Sequence, residues 1–299
     1  MNIVFFATPD FAIPSIEAIL NSHHNLLAVV TNTDKEQGRG KKIAYSPVKA
    51  FALEKGIKFL QPEKFKDPSF VEELKSLNPD IFVVVAFKIL PKEVYTIPKY
   101  GSFNLHGSLL PKYRGAAPIQ WSLINGDKVT GLTTFFLKET VDTGNIILKQ
   151  DVDINEDDDF GTLHDKMSLF GADLILRTLD RIEDGNLTTT KQEDSIASPA
   201  PKIIKETCFL DFKNDATSLH NKVRGLSPIP GAILVFNNKA YKIYKTKVSR
   251  SESIDLGEIK TTKKEIFLGC KNSVLQILEI QPEGRKRMTA EEFLRGYKF

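Results

Sequence analysis

In the stretch GSFNLHGSLLPKYRGAAPIQW, residues 101–121, an amide and an imidazole stand two positions apart. Asn104 and His106 alternate with Phe103 and Leu105, and residues i and i+2 of a strand project to the same side. An amide and an imidazole presented together at the end of a sheet strand can polarise a carbonyl and hold a developing oxyanion. The alternative is a structural hydrogen-bonded pair. The chain then turns through Gly107 and Ser108 into a stiff basic loop with Pro111, Tyr113 and Arg114. Oxyanion chemistry calls for a third group to orient the imidazole or accept a proton. Asp142, in the loop ETVDTG between two strand-like segments, is the candidate.

The elements that must position these groups are legible as alternating strands and helices. NIVFF (2–6), LLAVVTN (26–32) and DIFVVVAF (80–87) are continuous apolar runs, the mark of strands buried on both faces of a parallel sheet. Between them PSIEAILNSH (14–23), SPVKAFALEKG (46–56) and DPSFVEELKSLN (67–78) have helical spacing. Ser46 reads as an N-cap, Pro47 as the first turn and Gly56 as the stop. TGLTTFFLK (130–138) and GNIILKQDVDI (144–154) read as strands around the Asp142 loop, and 160–185 as a long amphipathic helix. The run Glu156 to Asp159 is read as its N-terminal charge and capping.

From 186 the pattern changes. Residues 186–206 are rich in Ser, Thr and Pro without periodicity and read as a linker. A helix (215–231), a hairpin with an Asn-Asn turn (232–248), a second hairpin (264–284) and a short helix then suggest a small β-barrel, an OB-type barrel being one option. The expected class is α/β, with domains at 1–185 and 207–299 joined by 186–206.

Composition narrows the function. The chain has 299 residues, 41% hydrophobic and 26% charged, enough to bury a sizeable core. Residues 1–200 carry 22 Lys/Arg against 27 Asp/Glu, and residues 201–299 carry 19 against 11. The basic C-terminal third suits a polyanion or, more plainly, a solvated basic face. The first βα turn, FFATPDFAIP, has no G-x-G-x-x-G and no P-loop lysine, which argues against an ordinary dinucleotide dehydrogenase. Cys208 and Cys270 lack metal-type spacing and read as reduced thiols of a cytoplasmic protein. No apolar run approaches 18 residues, and the opening MNIVFFATPDF reads as a buried strand rather than a leader, so no membrane association is expected. His23 and His24 are placed at a helix end and His164 and His220 within helices, none with a ligand-type carboxylate spacing, so no metal site is expected.

The segment 101–121 together with the later VDTG resembles the signature of the folate-dependent formyltransferases. TPDFA (8–12), GRGKKIAYSPVKAFA (38–52), VRGLSPIPGA (223–232) and QPEGRKRMTAEEFLRG (281–296) extend the likeness to nearly the full chain, on the branch acting on methionyl-tRNA. The resemblance implies a Rossmann-like catalytic domain followed by a small OB-like, tRNA-contacting β-barrel domain. It implies transfer of the formyl group of 10-formyltetrahydrofolate to the α-amino group of methionine on initiator methionyl-tRNA, for translation initiation. Asn104, His106 and Asp142 would be catalytic, and Ser108, Leu109, Leu110 and Pro111 would line the folate site. Arg39, Lys41 and Lys42 would meet the tRNA acceptor end. Lys245 and Lys247 are further tRNA candidates because strict alternation puts them on one face of a strand, with Lys242 on the other. A monomer needing no metal and no DNA is expected. Two departures from the family pattern stand out: Ala7 in place of the usual Gly, and a shortened segment at Phe87-Lys88 near the pterin pocket. The rivals are a formyltransferase acting on a small amine (glycinamide ribonucleotide or an amino sugar) and a non-catalytic RNA-binding relic.

Overall fold

The computed structural model describes residues 1–37, 42–185, 187–249, 254–271 and 273–298. The chain divides into two compact units. The first comprises Met1–Gly115, Gly131–Val152 and His164–Pro199; the second comprises Ala116–Thr130, Asp153–Leu163 and Ala200–Phe299. The helices are α1 (Ile13–Leu20), α2 (Pro47–Lys55), α3 (Pro68–Ser76), α4 (Lys92–Tyr95), α5 (Pro118–Ile124), α6 (Phe160–Glu183), α7 (Ala216–Leu226) and α8 (Ala290–Gly296).

The first unit is built on strands β1 (Asn2–Ala7), β2 (Asn25–Val30), β3 (Lys35–Gln37), β4 (Lys42–Ala44), β5 (Phe59–Leu60), β6 (Ile81–Val85), β7 (Ser102–His106), β8 (Arg114–Gly115), β9 (Val129–Phe136) and β10 (Ile146–Asp153). Seven of them form one sheet in the order β10-β9-β7-β6-β1-β2-β5. The five from β7 to β5 are parallel, and β9 runs antiparallel to β7. All five residues of β6 are buried, as a strand covered on both faces requires. Local signals set the helix ends. Ser46 accepts a hydrogen bond from Lys49 N, and Gly56 closes α2 in the left-handed region at φ 67°. Asp67 caps α3 in the same way. α1 stops at Leu20, so His23 and His24 lie beyond it in the turn into β2.

The second unit holds β11 (Pro199–Ala200) at its boundary and β12 (Ala232–Phe236), β13 (Lys239–Ser249), β14 (Ile259–Thr261), β15 (Ile266–Cys270), β16 (Ser273–Pro282) and β17 (Met288–Thr289). The last six make an antiparallel OB-like half-barrel in the order β12-β13-β16-β15-β14, with β17 on β16. Leu219, Val223 and Leu226 of α7 pack on Ile243, Ile277 and Ile280 to form its core. Asn237 and Asn238 turn the β12–β13 hairpin with φ of 47° and 59°. α8 opens on a capping box between Thr289 and Glu292.

One expectation fails in β13. Ile243 pairs with Ile280 and Thr246 with Ile277, all four buried, although the two members on each strand are three positions apart. Two residues intervene on both strands, so the alternation slips by one on each at the same place. Lys242 therefore stands exposed with Lys245 and Lys247, not opposite to them.

Candidate active site

β7 ends at His106, at the carboxyl edge of the parallel strands, the edge where open α/β sheets take ligands. Asn104 lies between Val84 of β6 and Phe135 of β9, and His106 lies beside Thr133 of β9. Asn104 is half-buried and His106 is 6% exposed. The Phe135 ring stands edge-on to the imidazole, 6.4 Å between centroids.

His106 Nε2 is 2.8 Å from the Tyr113 carbonyl. A carbonyl only accepts, so Nε2 carries the hydrogen and donates it. Tyr113 holds φ 60°, a left-handed conformation that costs a non-glycine residue about 1–3 kcal/mol, and its N–H donates to Ser198 Oγ at 2.9 Å. The loop is thus bent to aim one carbonyl at one ring nitrogen. Nδ1 is left facing Asp142 Oδ2 at 3.8 Å, too long for a direct hydrogen bond.

Asp142 is fixed from several sides. Its Oδ2 accepts from Gly115 N at 2.9 Å. Gln192 Nε2 donates to the carbonyls of Asp142 and Gly144, 2.9 Å each. Gln192 Oε1 accepts from Arg114 Nε at 3.0 Å and Nη2 at 2.8 Å. Arg114 also pairs with Asp194 at 2.7 Å, which holds the Asp194 carboxyl below its usual range. Gly144 admits no side chain, because a Cβ there would lie 1.7 Å from the Phe136 carbonyl oxygen. Gln192 and Ser198 come from the stretch that composition marks as a linker; nothing in their local sequence signals this work.

Asn104 and Asp142 border a cavity of about 100 Å³, walled by Phe87, Lys88, Ile89 and Leu90 after β6 and by Val141. Phe87 is held edge-on against Phe6, 5.7 Å between centroids. Ser108, Leu109, Leu110 and Pro111 do not border this cavity. Ser108 and Leu110 are fully buried. Their turn is pinned by Thr133, whose hydroxyl donates to the Ser108 carbonyl at 2.7 Å and accepts from Leu110 N at 3.1 Å.

Of the cationic candidates, Arg39 and Lys41 lie outside the described residues, and Lys42 is described only as backbone in β4. Lys245 and Lys247 are exposed and border a groove of about 760 Å³ within the second unit, together with Lys128 and Arg287. That groove contains none of the Asn104, His106 and Asp142 cluster.

The formyl transferase sequence profile matches residues 1–179, and the profile of the formyl transferase C-terminal domain matches residues 202–298. The chain is 46% identical over 300 residues to the methionyl-tRNA formyltransferase of Caldanaerobacter subterraneus subsp. tengcongensis, covering 99% of this chain and 97% of the relative. It is 45% identical to the methionyl-tRNA formyltransferase of Flavobacterium psychrophilum, covering 100% and 97%. Among solved structures, the sugar 3N-formyl transferase WlaRD has a TM-score of 0.71 at 21% identity, covering 96% of this chain and 99% of that one. Methionyl-tRNA formyltransferase from Clostridium thermocellum has 0.57 at 17%, covering 84% and 95%. At such identities the structures establish the shared fold.

Proposed function

The chain belongs to the formyl transferase family, and from that premise we propose that it moves a formyl group from 10-formyltetrahydrofolate to the α-amine of initiator methionyl-tRNA. The observation that carries the chemistry is the convergence of Asn104, His106 and Asp142 at the carboxyl edge of the sheet. The acceptor follows from relatives matched end to end that are named for methionyl-tRNA. The small-amine reading rests on likeness of fold at 21% identity and is not favoured.

The neutral amine attacks the formyl carbon; a C–N bond forms and the carbonyl oxygen takes up charge. Asn104 donates to that oxygen. His106 Nδ1 is the ring atom left for the reaction, since Nε2–H is committed to Tyr113. Asp142 supplies the negative charge beside Nδ1 and takes part in removing the amine proton. The C–N bond to the folate then breaks, and the leaving nitrogen takes a proton. Each of these groups acts where charge develops.

A cavity of about 100 Å³ is below the several hundred Å³ of a cofactor-sized site. We assign it the reacting centre, with the Phe87–Leu90 wall, whose Ile89 is 72% exposed, as the side that yields to the pterin. Ser108 to Pro111 then contribute by shaping the turn that carries Tyr113. The division of labour proposed is catalysis by residues 1–185, a connecting segment at 186–206 and tRNA contact by 207–299, with Arg39, Lys41 and Lys42 at the acceptor end and Lys245 and Lys247 on phosphates. Among the described residues no helix is long and apolar enough to cross a membrane, and the reading places the enzyme in the cytoplasm.

The test supplies initiator methionyl-tRNA, glycinamide ribonucleotide and a dTDP-amino sugar in parallel, each with 10-formyltetrahydrofolate. Formylmethionyl-tRNA as the fast product is expected. Faster formylation of either small amine contradicts the assignment.

A further inference from the structure

α1 ends at Leu20, and the chain turns through His23 and His24 before β2 begins at Asn25. Asp180 and Glu183 lie three residues apart near the end of α6, on one face of the helix. The fold brings the four together across more than 150 positions of sequence, which is why no motif announces them. One ligand atom from each lies within 4.8 Å of the other three. His23 Nε2 is 2.9 Å from Glu183 Oε2 and 3.7 Å from Asp180 Oδ1, and His24 Nε2 is 3.2 Å from Asp180 Oδ1. The donor atoms of a tetrahedral site with bonds of ~2.1 Å stand roughly 3.4 Å apart, within the range of these separations.

We propose that His23, His24, Asp180 and Glu183 form a structural Zn²⁺ site. Two imidazole nitrogens and two carboxylate oxygens are a donor set suited to Zn²⁺, and four protein ligands close the coordination sphere. The His24 side chain is fully buried, and the two rings lie 4.0 Å apart, so both nitrogens are presented from one small turn. The Met1 amine, 2.9 Å from Glu183 Oε1 and 3.3 Å from His24 Nδ1, completes the surroundings.

The position argues for a structural role. His23 and His24 precede β2 and so sit at the amino edge of the parallel strands, whereas His106 ends β7 at the carboxyl edge. A metal here clasps the end of a 24-residue helix to the entry of a core strand, away from the reacting groups.

The test uses the full-length, untagged protein stripped with a chelator and titrated with Zn²⁺ alone, then with Co²⁺ as a spectroscopic probe. One Zn²⁺ per chain is expected, with the intense visible bands of four-coordinate Co²⁺. Because His24 is buried, the variants are His23→Gln and Asp180→Asn, both at exposed side chains. Each should weaken binding by more than about tenfold, while circular dichroism and the formyl-transfer rate stay at wild-type values. Absence of stoichiometric binding, or wild-type affinity in both variants, overturns the site and leaves a hydrogen-bonded charge cluster.

Discussion

At the scale of single residues, the proposed mechanism gives one nitrogen of His106 to structure and the other to chemistry. Its Nε2–H is bound by the Tyr113 carbonyl, and the proposal therefore assigns the reaction to Nδ1, 3.8 Å from Asp142. Asn104→Ala, His106→Ala and Asp142→Ala should each lower turnover by about 10²–10³-fold, the scale of an oxyanion donor or a general base. Affinity for tRNA should be unchanged, as checked by filter binding beside single-turnover rates. Gln192 acts through Asp142, and Gln192→Ala strips two carbonyls and Arg114 of a buried partner. It should lower kcat by about 10–10²-fold through a misplaced loop and destabilise the fold by about 1–3 kcal/mol. Unchanged kcat with lowered stability assigns Gln192 to packing alone. The placement of Asn104 and His106 on one strand was legible because a two-residue period is local. Gln192 and Ser198 were not, since their partners lie 50 and 85 positions away.

At the scale of elements, capping residues and turns were read directly from short stretches: Ser46 and Gly56 bound α2, and Asn237-Asn238 closes a hairpin. The slip in β13 was not legible, because it needs a matching slip in β16 and neither strand carries a glycine there to mark it. Its consequence is a continuous outer row of Lys242, Lys245 and Lys247. Lys242 Nζ is tied to the Pro230 carbonyl at 2.8 Å. Replacing Lys245 and Lys247 together by alanine should flatten the log affinity against log salt slope for tRNA by roughly 1.4–1.8 units, two phosphate contacts. An unchanged slope marks the row as a solvated face. α7 supplies a pH response. Burial, then Arg224, lowers the pKa of His220, whose Nδ1 lies 3.0 Å from Thr246 Oγ1. The folded state then binds fewer protons than the unfolded state once pH falls below 6.5, so stability drops from there until the folded pKa is reached. Trp121, the single tryptophan, lies in the same unit and reports its unfolding. Wild type should lose stability relative to His220→Gln between about pH 7 and pH 5; parallel curves contradict this.

At the scale of the whole molecule, the sequence steps from net −5 over residues 1–200 to net +8 over residues 201–299. The units themselves are not contiguous in sequence: Ala116–Thr130 and Asp153–Leu163 pack with the C-terminal residues. Hydrophobic period cannot show this, because a helix such as α5 presents the same apolar face whichever core receives it, and here it meets α7. The central claim is that Asn104, His106 and Asp142 carry formyl transfer to methionyl-tRNA. The most direct measurement is a single-turnover assay with initiator methionyl-tRNA and 10-formyltetrahydrofolate, comparing wild type with His106→Ala at saturating concentrations of both substrates. The account predicts formylmethionyl-tRNA from the wild type and a rate about 10²–10³-fold lower from the variant at equal tRNA occupancy. Equal rates from the two proteins, or no formylmethionyl-tRNA from the wild type, contradict it.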